Sequence, residues 1–221
     1  CLSEGVDVPA LDGVAFVDPK RSEIDIIQAV GRAIRLSEGK DTGTIVIPVF
    51  LSDSDDPNEV ISASEFDQVW KVVNALRSHD AALGDELDEL RTKLGRGQKI
   101  SLSGSKIIFD IHQTVGDEFI DAFEAKLVET TTESWEFWYG LLTNYQQKHG
   151  NCLVAGKHQE GGYKLGIWVS NQRGKKTRGI LPREREARLE TLGFVWDVRE
   201  AEFLEGLESL STYFENNKNS R

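Results

Sequence analysis

The stretch that decides the fold is Gln28-Ala29-Val30-Gly31-Arg32-Ala33-Ile34-Arg35. Its apolar spacing predicts a helix over residues 22–35 whose inward side chains are Ile24, Ile27, Val30 and Ile34. Arg32 and Arg35 share one face of that helix, since residues three apart are neighbours. Because a guanidinium matches phosphate oxygens in shape and charge, such a pair suits a site where charge builds on a phosphoryl group. A solvated face with local ion pairs is the alternative.

Two apolar segments flank this helix. Residues 13–18 follow a polar turn rich in Gly, Asp and Pro, and residues 44–50 form a nearly continuous apolar run. Uninterrupted apolar strands are typical of a parallel sheet that is covered on both faces. A helix between two such strands predicts a right-handed crossover in a doubly wound α/β lobe. The acidic residues 51–58 then predict a linker that ends the lobe.

The turn and the helix together carry a specific pattern. Ser3-Glu4-Gly5-Val6-Asp7-Val8-Pro9-Ala10-Leu11-Asp12 precedes the first strand, and Gln28, Gly31, Arg32 and Arg35 follow in the order Q-x-x-G-R-x-x-R. This order and spacing resembles motifs V and VI of the superfamily-two helicases, and most of all the DEAD/DEAH-type helicases related to the type III restriction subunit. The resemblance implies that residues 1–51 are the C-terminal part of a RecA-like second helicase lobe.

The resemblance also implies a role for each matching residue. Arg32 and Arg35 reach the phosphates of a nucleotide across a cleft, and Arg35 occupies the arginine-finger position. Gly5 and Asp7 lie in the loop that links the nucleotide to the nucleic-acid groove. The cofactor-binding residues implied in this way are Gln28, Gly31, Gly5 and Asp7.

The sequence has no G-x-x-x-x-G-K-[ST] phosphate loop and no Asp-Glu box that would hold a metal ion. We therefore expect it to be the C-terminal portion of a longer helicase or translocase, with the phosphate loop and the metal ligands on a missing N-terminal lobe in cis. The parent is expected to use ATP and Mg²⁺, whereas this portion alone is expected to be inactive. We expect no metal ligands here.

The charge is unevenly distributed, although the chain as a whole has a net charge of −11. Residues 133–196 carry ten basic and six acidic side chains, a net charge of +4, and every other segment is acidic. These shifts predict four parts: the lobe remnant at 1–51, an acidic and mainly helical connector at 52–132, a basic domain at 133–196, and residues 197–221. Within the connector, periodic apolar residues predict three helices, and residues 107–111 predict a strand.

The basic segment has its own signature. Its residues follow W-x-x-W-Y-x-x-L, then H-G, then L-G-x-W-V-x-x-Q-R, then R-x-x-x-L-x-x-L-G-F-x-W, which resembles the helicase-associated domain. The resemblance implies an all-α module of three helices. We expect its tryptophans to form the core, because a domain of this size needs large apolar side chains. The four are Trp135, Trp138, Trp168 and Trp196.

The candidate nucleic-acid-binding residues are polar and crowd the end of the second predicted helix: Asn171, Gln172, Arg173, Lys175, Lys176 and Arg178. Lys157, His158, Lys164 and Arg183 are weaker additions. A solvated basic face is again the alternative. Residues 197–221 repeat the first helix of the domain at a shift of 68 residues and predict the start of a second, truncated copy with a poorly covered apolar stripe.

Three functions remain open at this point, and one of them is a degenerate relic that kept the fold but lost the motor. Another is the C-terminal part of an ATP-dependent nucleic-acid helicase or translocase that binds nucleic acid, DNA in preference to RNA, through residues 133–196. The third is a protein-interaction module that docks a partner subunit without contacting nucleic acid, which the acidic net charge favours. Two cysteines and no long apolar run lead us to expect a cytoplasmic protein without a membrane span.

Overall fold

The computed structural model describes residues 13–16, 23–33, 43–49, 56–61, 66–108 and 116–218. The chain divides into two compact units. Unit 1 comprises residues 1–94 and 98–137, and unit 2 comprises residues 95–97 and 138–221. The described parts are mainly helical and contain one two-stranded sheet. The four predicted domain ranges stay predictions.

A parallel strand pair opens unit 1. Strands β1 (Gly13–Ala15) and β2 (Thr44–Val46) pair in parallel with Gly13 opposite Thr44, and helix α1 (Glu23–Ala33) lies between them in sequence. A side chain at position 13 would place its Cβ 2.8 Å from the Thr44 carbonyl oxygen, so the close approach of the strands needs glycine there. The strand–helix–strand order agrees with the sequence, although both strands are shorter than the apolar runs. The RecA-like character of the lobe stays a prediction.

Helix α1 packs against helix α3 (Asp67–His79) with Val30 inward as predicted. The side chains of Ile24 and Ile34 lie outside the described residues. Ile26 and Val30 are fully buried in a cluster with Phe16, Val72 and Ala75. Ile27 is 39% exposed, so its predicted inward position is wrong. Ile26 and Ile27 lie on different faces of the helix, and the position of α3 selects the pair 26 and 30, which are four residues apart.

The main core of unit 1 lies among α2 (Pro57–Ile61), α3, α4 (Ala81–Gly95) and α5 (Asp117–Thr131). Phe66, Trp70 and Phe123 form its aromatic centre, with ring centroids 5.3–5.9 Å apart. The three connector helices are present as predicted. Ile107 and Ile108 do not form the predicted strand: the segment runs as turns, in which Ser105 N–H donates to the Leu102 carbonyl. Residues 109–111 lie outside the described residues.

Unit 2 is built from α6 (Ser134–His149), α7 (Leu165–Thr177), α8 (Arg183–Thr191) and α9 (Val198–Lys218). The first residues of α6 belong to unit 1. Trp135 and Trp168 are buried as expected, whereas Trp138 and Trp196 are half-buried. Trp135 belongs to unit 1, and the large buried side chains of unit 2 besides Trp168 are Leu141, Leu142, Tyr145, Val154, Leu165, Val169, Leu181, Leu189 and Phe194.

Cys152 forms an isolated backbone bridge with Phe194 in unit 2. Its thiol is buried and lies 3.5 Å from the Leu192 carbonyl oxygen. Burial raises the pKa of the Cys152 thiol to about 11, because a thiolate is poorly solvated there. The group is therefore a neutral packing side chain at ordinary pH.

Helices α6 and α9 show the same apolar pattern in two environments. The residues of α6 at the repeated positions are buried or half-buried: Trp135, Tyr139, Leu142 and Tyr145. Their counterparts in α9 are all exposed: Phe203, Leu207, Leu210 and Tyr213. The poor covering expected for the α9 stripe is therefore observed.

Candidate functional site

Helix α1 carries the part of motif VI that the structure describes. Gln28 is exposed, and among the described residues outside this helix turn no atom lies within 4 Å of the position where a Cβ of Gly31 would stand. Arg32 lies in α1, four residues after Gln28, but its side chain is outside the described residues, as are Gly5, Asp7 and Arg35. The arginine-finger role of Arg35 and the nucleotide-binding roles therefore stay predictions.

We call the six predicted nucleic-acid-binding residues at the end of α7 the C-terminal cluster. Some of them are engaged within unit 2 and others face solvent. Arg173 is engaged within unit 2, because its Nε donates to the Val195 carbonyl at 2.8 Å and its guanidinium lies over the Phe194 ring at 5.5 Å. Burial lowers the pKa of Arg173 from its usual value. Its side chain is used within the fold, where it ties α7 to the segment after α8.

Lys176 is also engaged within unit 2. Its Nζ lies 2.8 Å from a Glu186 carboxylate oxygen, 3.2 Å from one of Glu190, and 4.0 Å from the centroid of the Trp196 ring. The hydrogen bond to Glu186 raises the pKa of Lys176. Two carboxylates of α8 thus compensate its charge, which leaves less of it for an external phosphate.

The remaining members differ in exposure. Gln172 is only 2% exposed, so in this conformation its amide does not face solvent. Asn171 and Arg178 are exposed and Lys175 is half-buried, while Arg178 also donates from Nε to the Gly174 carbonyl at 3.1 Å. The structure therefore presents three of the six to solvent in a way that permits external contacts.

The weaker candidates include three exposed basic residues of unit 2. Lys157, Lys164 and Arg183 are exposed, and among the described residues none of the three has an ion pair. His158 is half-buried, with Nε2 3.2 Å from a Glu160 carboxylate oxygen. Lys157 and Lys164 precede α7, at the opposite end of the helix from the C-terminal cluster.

Sequence reasoning missed two residues near that end. Glu160 is a buried carboxylate that binds Asn144, Lys148 and His158, and Tyr163 is a tyrosine with 48% of its surface exposed. The signal that points to them is the Gly161-Gly162 pair between them, since two such glycines favour a tight hairpin turn.

No group of three or more His, Cys, Asp or Glu side chains in the described ranges converges as a metal site would. Within the same ranges, no helix is long and apolar enough to cross a membrane.

Comparison with known proteins identifies the basic segment. Residues 132–197 match the family model of the helicase associated domain, so the chain carries such a domain. Two solved structures match the chain. One is an ATP-dependent Type ISP restriction-modification enzyme, LlaBIII, bound to DNA, with 26% sequence identity and a TM-score of 0.45. That match covers 79% of this chain and 11% of the enzyme. No curated protein matches.

Proposed function

We propose that this chain is the C-terminal portion of an ATP-dependent helicase or translocase, and that residues 132–197 are its auxiliary nucleic-acid-binding module. The observation that carries the proposal is the helicase associated domain in the same chain as a motif V- and VI-like sequence. Neither feature alone supports a motor, because the helicase associated domain match covers residues 132–197 only and a pair of arginines is common on helix surfaces.

In this proposal ATP and Mg²⁺ are bound mainly by a first motor lobe that supplies the phosphate loop and the metal ligands. Arg32 and Arg35 contribute guanidinium groups that stabilise the charge on the transferring phosphoryl group. Gln28, Gly31, Gly5 and Asp7 lie on the nucleotide side of the same lobe. The exposure of Gln28 and the open space at Gly31 are compatible with a nucleotide on that face of α1.

The test of the motor is Arg35→Ala in the full-length protein with the proposed first lobe. We expect ATP turnover stimulated by nucleic acid to fall about a thousandfold while ATP binding is retained, because an arginine finger acts in the transition state. Arg32→Ala is expected to behave similarly. Arg199→Ala, at the exposed start of α9, is the matched control and should retain turnover. Turnover by Arg35→Ala within about threefold of the wild type would show that Arg35 is not the finger.

The basic module is proposed to bind nucleic acid through phosphate contacts, with DNA preferred to RNA. Six side chains that reach solvent support it: Asn171, Lys175, Arg178, Lys157, Lys164 and Arg183. Since so few charges are available on an acidic chain, we expect about two to four contacts and a dissociation constant in the micromolar range or weaker.

Fluorescence anisotropy of the 221-residue chain with labelled DNA and RNA oligonucleotides tests this proposal. Binding should weaken linearly in log affinity against log salt, with a slope of about 0.7 to 0.9 for each phosphate that the protein neutralises. If neither DNA nor RNA binds at low salt, the nucleic-acid proposal fails.

Protein docking is a second candidate function, and α9 favours it. Phe203, Leu207, Leu210 and Phe214 are exposed and follow a 4-3-4 spacing, which is the seam of a two-helix coiled coil. The occupant that this spacing favours is α9 of a second copy of the chain. Sedimentation velocity should then detect a dimer that Leu207→Asp abolishes. A monomer at all concentrations reached would exclude this candidate.

A further inference from the structure

The turn before α7 is built to hold one backbone shape. Gly161 and Gly162 have φ of +56° and +83°, and the flanking residues exchange two hydrogen bonds: Glu160 N–H to the Tyr163 carbonyl at 3.0 Å and Tyr163 N–H to the Glu160 carbonyl at 2.9 Å. Successive positive φ values are those of a type I′ hairpin turn, which glycine adopts without strain. The position of Tyr163 is therefore set by a short and rigid connection.

A buried carboxylate anchors the start of this turn. Glu160 is almost fully buried and accepts hydrogen bonds from Asn144 Nδ2 at 3.2 Å and from Lys148 Nζ, and it contacts His158 Nε2. A buried carboxylate is stable only when it is paired and hydrogen-bonded in this way. The network joins the turn to α6, so the turn does not depend on its own two hydrogen bonds alone.

The Tyr163 ring contacts Trp138, which is itself packed on Trp168. The ring meets Trp138 edge to face at 6.1 Å between centroids, and Trp138 stacks on the buried Trp168 at 6.3 Å and 12°. Tyr163 nevertheless keeps about half of its surface in solvent. An aromatic ring that is rigidly backed and half-exposed needs no further ordering to stack on a planar group.

Two exposed lysines belong to the backbone segments next to Tyr163. Gly166 N–H donates to the His158 carbonyl at 3.0 Å, and a Cβ at position 166 would stand 2.2 Å from the Ala155 carbonyl oxygen. The loop that contains Lys157 therefore lies directly against the start of α7, where Lys164 is the residue before the first turn. Both lysines are exposed, and the nearby carboxylate of Glu160 is already paired.

We propose that Lys157, Tyr163 and Lys164, which we call the turn surface, bind single-stranded nucleic acid, with Tyr163 stacking on an unpaired base and the two lysines contacting the flanking phosphates. This inference rests on the proposed nucleic-acid-binding function of residues 132–197 and assigns the contact to one end of α7. A stacked base accounts for the exposed ring, and phosphates account for the two open lysines.

The experiment measures binding of the 221-residue chain to labelled oligo-dT and to a duplex of equal length by fluorescence anisotropy. Tyr163→Ala should weaken oligo-dT binding about tenfold, leave the salt slope unchanged, and change duplex binding little. Tyr163→Phe should bind like the wild type, because the ring and not the hydroxyl makes the contact. Tyr213→Ala is the matched control, since Tyr213 is an exposed tyrosine of α9.

A second variant keeps the test independent of the turn's stability. Lys157→Gln combined with Lys164→Gln changes only exposed side chains and should lower the salt slope for oligo-dT by about 1.4, the value for two phosphates of a single strand. If the wild type binds oligo-dT but Tyr163→Ala and the double lysine variant bind equally well, the turn surface is wrong and the proposed function stands. If the wild type binds neither probe, the proposed function fails first.

Discussion

The two ends of α7 use their charges differently. At the C-terminal end, Arg173 binds the Val195 carbonyl and Lys176 binds Glu186 and Glu190 over the Trp196 ring. At the other end, Lys157 and Lys164 stand open beside a half-exposed tyrosine. The C-terminal end thus offers only two of its four basic residues, Lys175 and Arg178, to an external anion, whereas both lysines at the other end are exposed.

The difference shows that a charged residue can be part of the packing of a small domain. Arg173 and Lys176 cover the aromatic rings of Phe194 and Trp196, and their alkyl stems add apolar contact while their charged ends find partners. A domain with a small core gains from such side chains. The exposed charges that remain are the ones that can contribute to binding.

The largest effect is expected at the support of the turn surface. Trp168→Ala should destabilise the domain by about 3–5 kcal/mol, because it removes a large side chain that is 9% exposed and leaves a cavity beside Trp138. Chemical denaturation followed by circular dichroism measures the change. Ile167→Ala, at the neighbouring and half-exposed position, is the matched control and should change the stability by less than about 1 kcal/mol. Equal effects of the two would mean that Trp168 is not part of the core.

Two arginines of the C-terminal cluster should separate stability from binding. Arg173→Ala should cost about 2 kcal/mol of stability, because it leaves the Val195 carbonyl without its charged donor. Arg178→Ala should cost little stability and should lower the salt slope of nucleic-acid binding by just under one. Thermal melts and anisotropy titrations of both variants measure this. A binding defect in Arg173→Ala at unchanged stability would show that Arg173 contacts nucleic acid and does not mainly stabilise the fold.

The Glu160 network predicts a dependence of stability on pH. The hydrogen bond from Lys148, and then that from His158, hold the pKa of Glu160 below its ordinary value of 4.5, against the opposing effect of burial. The folded state therefore binds this proton less readily than the unfolded state. The resulting stabilisation is complete above pH 4.5 and is lost as the pH falls through the folded pKa. As the pH is lowered from 7 to 3, the melting temperature of the wild type should fall more steeply than that of Glu160→Gln. Parallel curves would argue against a stabilising role of the ionised Glu160 carboxylate.

The smallest effect is expected at Lys176. Because Glu186 and Glu190 already compensate its charge, Lys176→Ala should change nucleic-acid affinity by less than about twofold. Lys164→Ala, a lysine without an ion pair among the described residues, should weaken binding more. Anisotropy at one low salt concentration compares the two. A larger loss of affinity in Lys176→Ala than in Lys164→Ala would show that Lys176 leaves the two carboxylates and contacts a phosphate.

Periodicity predicted the helices well where one apolar stripe dominates. The spacing from Trp135 to Tyr145 predicted α6, and Pro182 marked the start of α8, where it occupies the residue before the first turn. The sequence also predicted that a helix connects the two strands β1 and β2. Ile27 was misplaced because several isoleucines compete for the inward face, and only the packing partner α3 decides between them.

The use of polar side chains was less predictable. Nothing in the local sequence distinguishes Gln172, which is buried, from Asn171, which is exposed, since both follow the same helical run. The partners of Arg173 and Lys176 lie 10 to 22 residues away, so these contacts depend on tertiary structure. Tyr163 was missed because its exposure results from the rigid turn before it and the Trp138 ring behind it.

The buried thiol of Cys152 can report how often unit 2 opens. With a pKa near 11, only about one thiol in ten thousand is ionised at pH 7, and that fraction is shielded by the packing around it. An alkylating reagent can therefore reach Cys152 efficiently only when unit 2 opens. The rate of its modification reports how often the domain opens, and a ligand that binds the closed form would slow that rate in proportion to its occupancy.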